Sequence, residues 1–212
     1  MSDVSAPRPV PNRYLALSFP RLSTDRIRRE RMGRSWRSDA PRKGAACDGD
    51  GESGRPAPLA LYETVGNANR IVATCEVAEA MGLAAGNGLA EAKARFPDIE
   101  VMLADPAADR RLLEAVADWC DRYTPLVALD APHGLVLDIS GCAHLFGGEK
   151  ALMDDLLVRL FHQGLAALAA IASHAGTALA LVGGGRGRGG AIVAEHDELA
   201  AVSPLPVAAL RL

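Results

Sequence analysis

The stretch Leu126–Ile139, LVALDAPHGLVLDI, constrains the fold more than any other part of the chain. Two short apolar runs, Leu126–Asp130 and Leu135–Ile139, flank Pro132-His133-Gly134. Such runs on either side of a Pro/Gly turn read as an antiparallel hairpin. Long helical patterns enclose it. Upstream, Asp105-Pro106 opens an amphipathic helix to about Tyr123, with Leu112, Leu113, Val116, Trp119 and Cys120 at helical spacing. Downstream, Gly147-Gly148 precedes a helix over Glu149–Gln163, then a strand at Ala166–Ala172 and a helix at Ala175–Val182. A hairpin set among helices predicts an α+β fold, a mixed or antiparallel sheet with helices packed on one face.

The front of the chain supplies further pieces. Arg13–Phe19 reads as a strand ended by Pro20, after which Ser23 or Thr24 is placed to cap an Arg-rich helix to about Arg34. Residues 35–58 have almost no apolar content and read as a flexible insertion. Leu59–Glu63 and Arg70–Ala73 form strands around Gly66-Asn67. Short helices follow at Glu76–Met81, closed by Gly82, and at Leu89–Phe96, closed by Pro97. Ile99–Ala104 and Ala191–Ala194 read as strands.

Composition narrows the class. With 49% hydrophobic and 23% charged residues the chain suits a soluble globular protein, and with only 4% aromatics its core must be built mainly from Ala, Leu and Val. The net charge of −3 conceals an asymmetry. Residues 1–55 carry 12 Lys or Arg against 7 Asp or Glu, and the remainder 11 against 19, so most of the chain has no basic surplus with which to grip DNA. Cys47, Cys75, Cys120 and Cys142 form no Cys-x-x-Cys pair, which argues against a zinc knuckle or a disulfide framework. The polar, proline-rich start is not a secretory signal, and Ser173, His174 and Thr177 interrupt the apolar stretch Leu165–Val182, so a cytoplasmic protein without a membrane span is expected.

The order of the pieces carries a resemblance. CEVAEAMGLAAGNGLAEAKARFPDIEV (Cys75–Val101), DRRLLEAVADWCDRYTP (Asp109–Pro125) and LVALDAPHGLVLDISGCAHLFGG (Leu126–Gly148) resemble the fingers-to-palm run of the Y-family DNA polymerases. RYLALSFPRL, DWCDRYTP and LDISGCAHLFGG are typical of its ImuB-like branch. Pro7, Pro9 and Pro11 make residues 1–12 read as a disordered start. Over 13–212, with the insertion 35–58 unmatched, the resemblance implies a first palm strand at 13–24, a fingers-like subdomain at 25–98, a palm-like domain at 99–195, and the start of a truncated thumb at 196–212. It also implies a role in DNA repair and error-prone translesion synthesis. Its partners would be DNA, held weakly by this fragment, an error-prone DnaE-type polymerase, ImuA and the sliding clamp.

The same resemblance places the active-site positions, and they depart from the pattern. Nucleotidyl transfer uses two Mg²⁺ ions, which demand several carboxylates at one place. The first-strand acid falls at Ser18 and a second acid there at Pro20; in the hairpin Asp130 remains while the neighbouring glutamate position is Ala131. The Tyr and Arg that hold the triphosphate in active members fall at Glu76 and Glu79, acids that repel it, and two lysine positions fall at Gly176 and Ala180. The expectation is a catalytically inactive polymerase homologue with no cofactor and no metal. The rival reading is an active translesion polymerase with an atypical metal site, for which Asp138 and Asp25 are the nearby acids.

Other signals are weaker. GGGRGRGG (Gly183–Gly190) contains a Gly-x-Gly-x-x-Gly spacing, which means dinucleotide binding only between a strand and a helix. It reads as a loop in which Arg186 and Arg188 are candidate DNA phosphate contacts. The Arg-rich helix, with Arg21, Arg26, Arg28, Arg29 and Arg31, reads as a solvated face, and the five histidines lack metal-ligand spacing.

Overall fold

The computed structural model describes residues 11–39, 57–184 and 190–210. The chain divides into two compact units. One takes in the described residues up to Ser18, Glu114–Leu157 and those from Leu168 onward; the other takes in Phe19–Leu113 and Val158–Ala167. No helix among the described residues is long and apolar enough to cross a membrane.

The first unit is organised on β1 (Tyr14–Ser18), the middle strand of a five-stranded sheet. Antiparallel to it on one side runs β6 (Gly134–Asp138), followed by β5 (Val127–Asp130), the other arm of the hairpin foreseen in the sequence. Antiparallel on the other side runs β7 (Leu168–Ala172), with β8 (Ala191–Ile192) parallel at the edge. Leu15, Ala16 and Leu17 are fully buried, so β1 is covered on both faces. One of those faces is built from small residues. Ala16, Ala170 and Ala172 meet Ala178 and Val182 of helix α7 (Ala175–Gly184), and without long side chains between them helix and sheet pack closely. Arg13 fastens the root of β1: its guanidinium forks onto Glu149 at 2.5 and 2.7 Å and donates to Ser173 Oγ at 3.0 Å and Val193 O at 2.9 Å. In the same unit Tyr123 donates to Asp155 of helix α6 (Glu149–His162) at 2.7 Å and meets the rings of Trp119 and Phe146. Burial pushes the Cys120 thiol up to about 12, which leaves it inert.

Residues 196–210, where the start of a thumb is expected, fall in this unit. Helix α8 (Glu198–Val202) lies against α7 because the Glu198 carboxylate accepts hydrogen bonds from α7's leading turn.

The second unit carries a three-stranded sheet in the order β3-β2-β4. β2 (Leu59–Val65) and β3 (Ala68–Thr74) form a hairpin at Gly66, whose φ of 61° suits glycine, and β4 (Glu100–Leu103) lies parallel to β2. Leu59, Leu61, Ile71, Ala78, Ala92 and Ile99 form its core, with α3 (Glu76–Ala80) and α4 (Leu89–Arg95) supplying Ala78 and Ala92. Helix α5 (Pro106–Cys120) starts where Asp105 and Pro106 indicate, with Asp105 Oδ1 accepting from the Ala108 amide at 2.9 Å.

Helix α1 (Leu22–Met32) departs from expectation twice. It begins at Leu22, so neither Ser23 nor Thr24 caps it: Ser23 donates to Asp109 at 2.6 Å and Thr24 donates back to Arg21 O at 3.2 Å. Nor is it a solvated face. Arg26 and Arg28 are buried, and acceptors distant in sequence engage its arginines. Arg26 Nε meets Asp109 at 2.6 Å, Arg28 donates to Ala57 O, Arg29 to Gln163 O, and Arg31 pairs with Glu100 at 2.5 Å. A one-dimensional pattern contains no such acceptors, so the charge was read as solvated.

The expected insertion at 35–58 is also shorter at its front. Trp36–Asp39 form a helical turn, α2, in which Trp36 Nε1 donates to Gly164 O at 3.0 Å and Arg37 pairs with Asp25 at 2.5 Å. Burial pushes the Asp25 carboxyl up, against the pull of Arg37 and of the Ala166 amide, which donates to it at 2.9 Å. Residues 40–56 and the start at 1–10 lie outside the described residues.

Three substitutions measure these ties. Asp109→Ala strands Arg26, whose Nη2 is already buried without a partner among the described residues, and should cost about 3 kcal/mol in urea unfolding, whereas Glu30→Ala, at the exposed end of the same arginine, should cost less than about 1 kcal/mol. Gly164→Ala should cost about 2 kcal/mol, since its Cβ would lie 2.6 Å from Arg34 O and from the Trp36 ring at a φ of 77°.

Candidate functional site

Strand register decides which side chains can act together in the first unit. β1 and β6 pair Ser18 with Gly134, and β6 and β5 pair Gly134 with Asp130. The three form one row, and paired residues project to the same face. Ser18 and Asp130 thus flank a position with no side chain. Their Cα atoms stand about 10 Å apart across the two pairs. Gly134 is required here: a Cβ on it would lie 2.7 Å from Asp130 Oδ2, 2.9 Å from Asp130 O and 3.1 Å from Leu17 O. The Asp130 carboxylate therefore lies over the backbone of Gly134.

Sequence reasoning singled out Ser18, Asp130 and Ala131; the structure brings Ser18 and Asp130 into one row and puts Gly134, not Ala131, opposite Ser18. Gly134 was read only as a turn residue, because register is invisible until the strands pair. The residues do not fit a two-metal centre. The row offers one carboxylate and one hydroxyl, whereas two divalent ions need several oxygen anions. Among the described residues no group of three His, Cys, Asp or Glu side chains gathers as an ion would require. The two acids considered as substitutes have other work: Asp138 Oδ1 accepts from the Ser140 amide at 2.9 Å, and Asp25 holds Arg37 and the Ala166 amide.

In the second unit Glu76 and Glu79 share the first turn of α3. Glu79 accepts from Arg21 Nε at 3.2 Å and from Arg21 Nη2. Burial pulls the Arg21 guanidinium down, but the hydrogen bond and charge of Glu79, with Glu76 and Asp25, outweigh it and hold the group above its ordinary value. Arg21 was not singled out as a partner of α3, and no sequence signal links residues so far apart. The glycine-rich run follows helix α7 rather than a strand, so the dinucleotide-binding reading fails. Arg186 and Arg188 lie outside the described residues.

Residues 52–181 match the model of the IMS domain, the impB/mucB/samB family. The chain belongs to the impB/mucB/samB family. Two curated relatives, Protein ImuB from Caulobacter vibrioides strain NA1000 / CB15N and from strain ATCC 19089 / CIP 103742 / CB 15, are each 50% identical to it over 132 residues. That match covers 62% of this chain and 28% of either relative, so this impB/mucB/samB member spans just over a quarter of their length. Among solved structures, a Y-family DNA polymerase chimera of Dbh and Dpo4 superposes with a TM-score of 0.65 at 9% identity, covering 87% of this chain and 49% of the other. DinB from Sulfolobus solfataricus gives 0.59 at 10% identity, covering 94% and 55%. The fold is that of the Y-family polymerases, as the motif order implied.

The row geometry is testable. Ser18→Asp would aim a second carboxylate at Asp130 across bare Gly134, at a spacing one divalent ion bridges through oxygen distances near ~2.1 Å. Calorimetric titration with Mn²⁺ should give about tenfold tighter binding than the parent chain, and Asp130→Asn in the same background should remove the gain.

Proposed function

We propose that this chain is the palm-and-fingers part of a non-catalytic Y-family polymerase-like adaptor in DNA repair and error-prone translesion synthesis. It links an error-prone DnaE-type polymerase, ImuA and the sliding clamp, and works in the cytoplasm. The observation that carries the reading is the Ser18–Gly134–Asp130 row, with one carboxylate where the chemistry needs several. The acids at Glu76 and Glu79 support it independently. They are the positions that the family resemblance assigns to triphosphate ligands, and Glu79 also neutralises Arg21, a nearby cation. An incoming triphosphate meets repulsion there rather than a clamp. DNA affinity of this chain alone is weak and salt-sensitive, since its acids outnumber its bases.

Primer extension by the full-length protein, in Mg²⁺ and separately in Mn²⁺ beside an active Y-family enzyme, tests the reading. The expected result is no incorporation by protein that still binds primed DNA. Incorporation that Asp130→Ala abolishes would overturn it and make the protein a polymerase with an atypical metal site.

A further inference from the structure

Helix α8, within residues 195–210, inverts the usual rule of burial. In α8 the buried side chain is the acid Glu198, while its neighbour Leu199 is 79% exposed. Five residues are too few for a helix to persist without outside support. What holds this one is the Glu198 carboxylate. Oε1 accepts from the backbone amides of Ser173 and His174, the latter at 3.2 Å, and Oε2 accepts from Thr177 Oγ1 and meets His174 Nδ1, both at 2.8 Å. The donors form the turn that leads into α7 and its first turn, where helix amides have no partner within their own helix. Ser173 is itself gripped through its hydroxyl by Arg13.

We propose that Glu198 is a charge-dependent latch: while ionised it docks residues 195–210 on α7, and when neutralised it lets that segment leave without unfolding the sheet. The device is separate from the proposed adaptor role and stands or falls on its own. A carboxylate accepting from four donors loses most when it gains a proton, because one oxygen then becomes a donor facing donors. The titratable group in contact with it is His174, on α7's side; the neighbouring charges on its own segment are Glu195, His196 and Asp197, of which His196 pairs with Asp197 at 3.4 Å. Burial alone would raise the Glu198 carboxyl, but the hydrogen bonds from Thr177, His174 and the two amides outweigh it and hold the group below the ordinary glutamate range. With the folded value depressed, the latch is fully closed above the unfolded-state value and opens as pH falls through the folded one. Once it is open, water takes over the α7 amides and the buried Ala209 loses its seat.

Hydrogen–deuterium exchange on the full chain, corrected for the intrinsic rate at each pH, tests the latch. In Glu198→Gln at pH 7, the amides of Ser173, His174 and residues 195–210 should exchange about tenfold faster or more, while Leu15, Leu137 and Ile171 keep their protection. The parent chain should show the same local pattern on acidification, and Glu198→Gln should show no further change. Unchanged protection in the variant, or loss of protection everywhere at once, overturns the proposal. If Glu198→Gln does not fold, Thr177→Val removes one donor: a smaller rise confined to the same amides supports the latch, and no rise overturns it.

Discussion

Strand β1 is the constraint on which the first unit depends. It is paired on both edges and buried on both faces, so neither a slip in register nor a turn of the strand is available to it. Its side chains therefore occupy fixed rows with those of β6 and β7. The fixed rows place Ser18 beside Gly134 and bring Asp130 in from the next strand. Given those rows, what the site can hold follows from residue identity: one carboxylate, one hydroxyl and a bare glycine between them.

The second unit solves a different problem. Its front helix carries more positive charge than water-facing positions need, and the fold supplies acceptors one by one: a carboxylate from Asp109, carbonyls from Ala57 and Gln163, and a second carboxylate from Glu100. The planar guanidinium fork offers several directional donors, which suits arginine to joining elements far apart in sequence, as Arg26 does between Asp109 and Glu30. Charge that reads in the sequence as a solvated face is thereby engaged internally. The asymmetry between the basic front of the chain and its acidic remainder is, for these residues, an internal complementarity.

The parts of the fold legible beforehand were those written in local chemistry. The Asp105-Pro106 helix start, the turn at Gly66-Asn67, and the apolar runs around Pro132-His133-Gly134 each specify their structure within a few residues. What escaped was long-range. Ser23 and Thr24 look like caps until Asp109 is brought against Ser23, and Trp36 lies in a polar stretch until the Gly164 carbonyl is there to receive its indole. Glu198 gives no sign in the sequence that it will serve α7. The candidate site was half legible: Ser18 and Asp130 were named, but Gly134 emerged only from pairing, since a glycine after a turn carries no mark of what leans over it.

The ties around α2 have a consequence for chain length. Arg37 on Asp25 fixes the strand of chain that leaves α1, and Arg28 on the Ala57 carbonyl fixes the point where it re-enters the unit. Both tethers end on the same helix, so the distance between the two attachment points is set without reference to the residues joining them. For a chain held at both ends, doubling the connecting length costs only about 0.6 kcal/mol in closure entropy. The two tethers thus position the chain on either side of this interval through one helix, and β2 enters its sheet from a point that α1 itself has set.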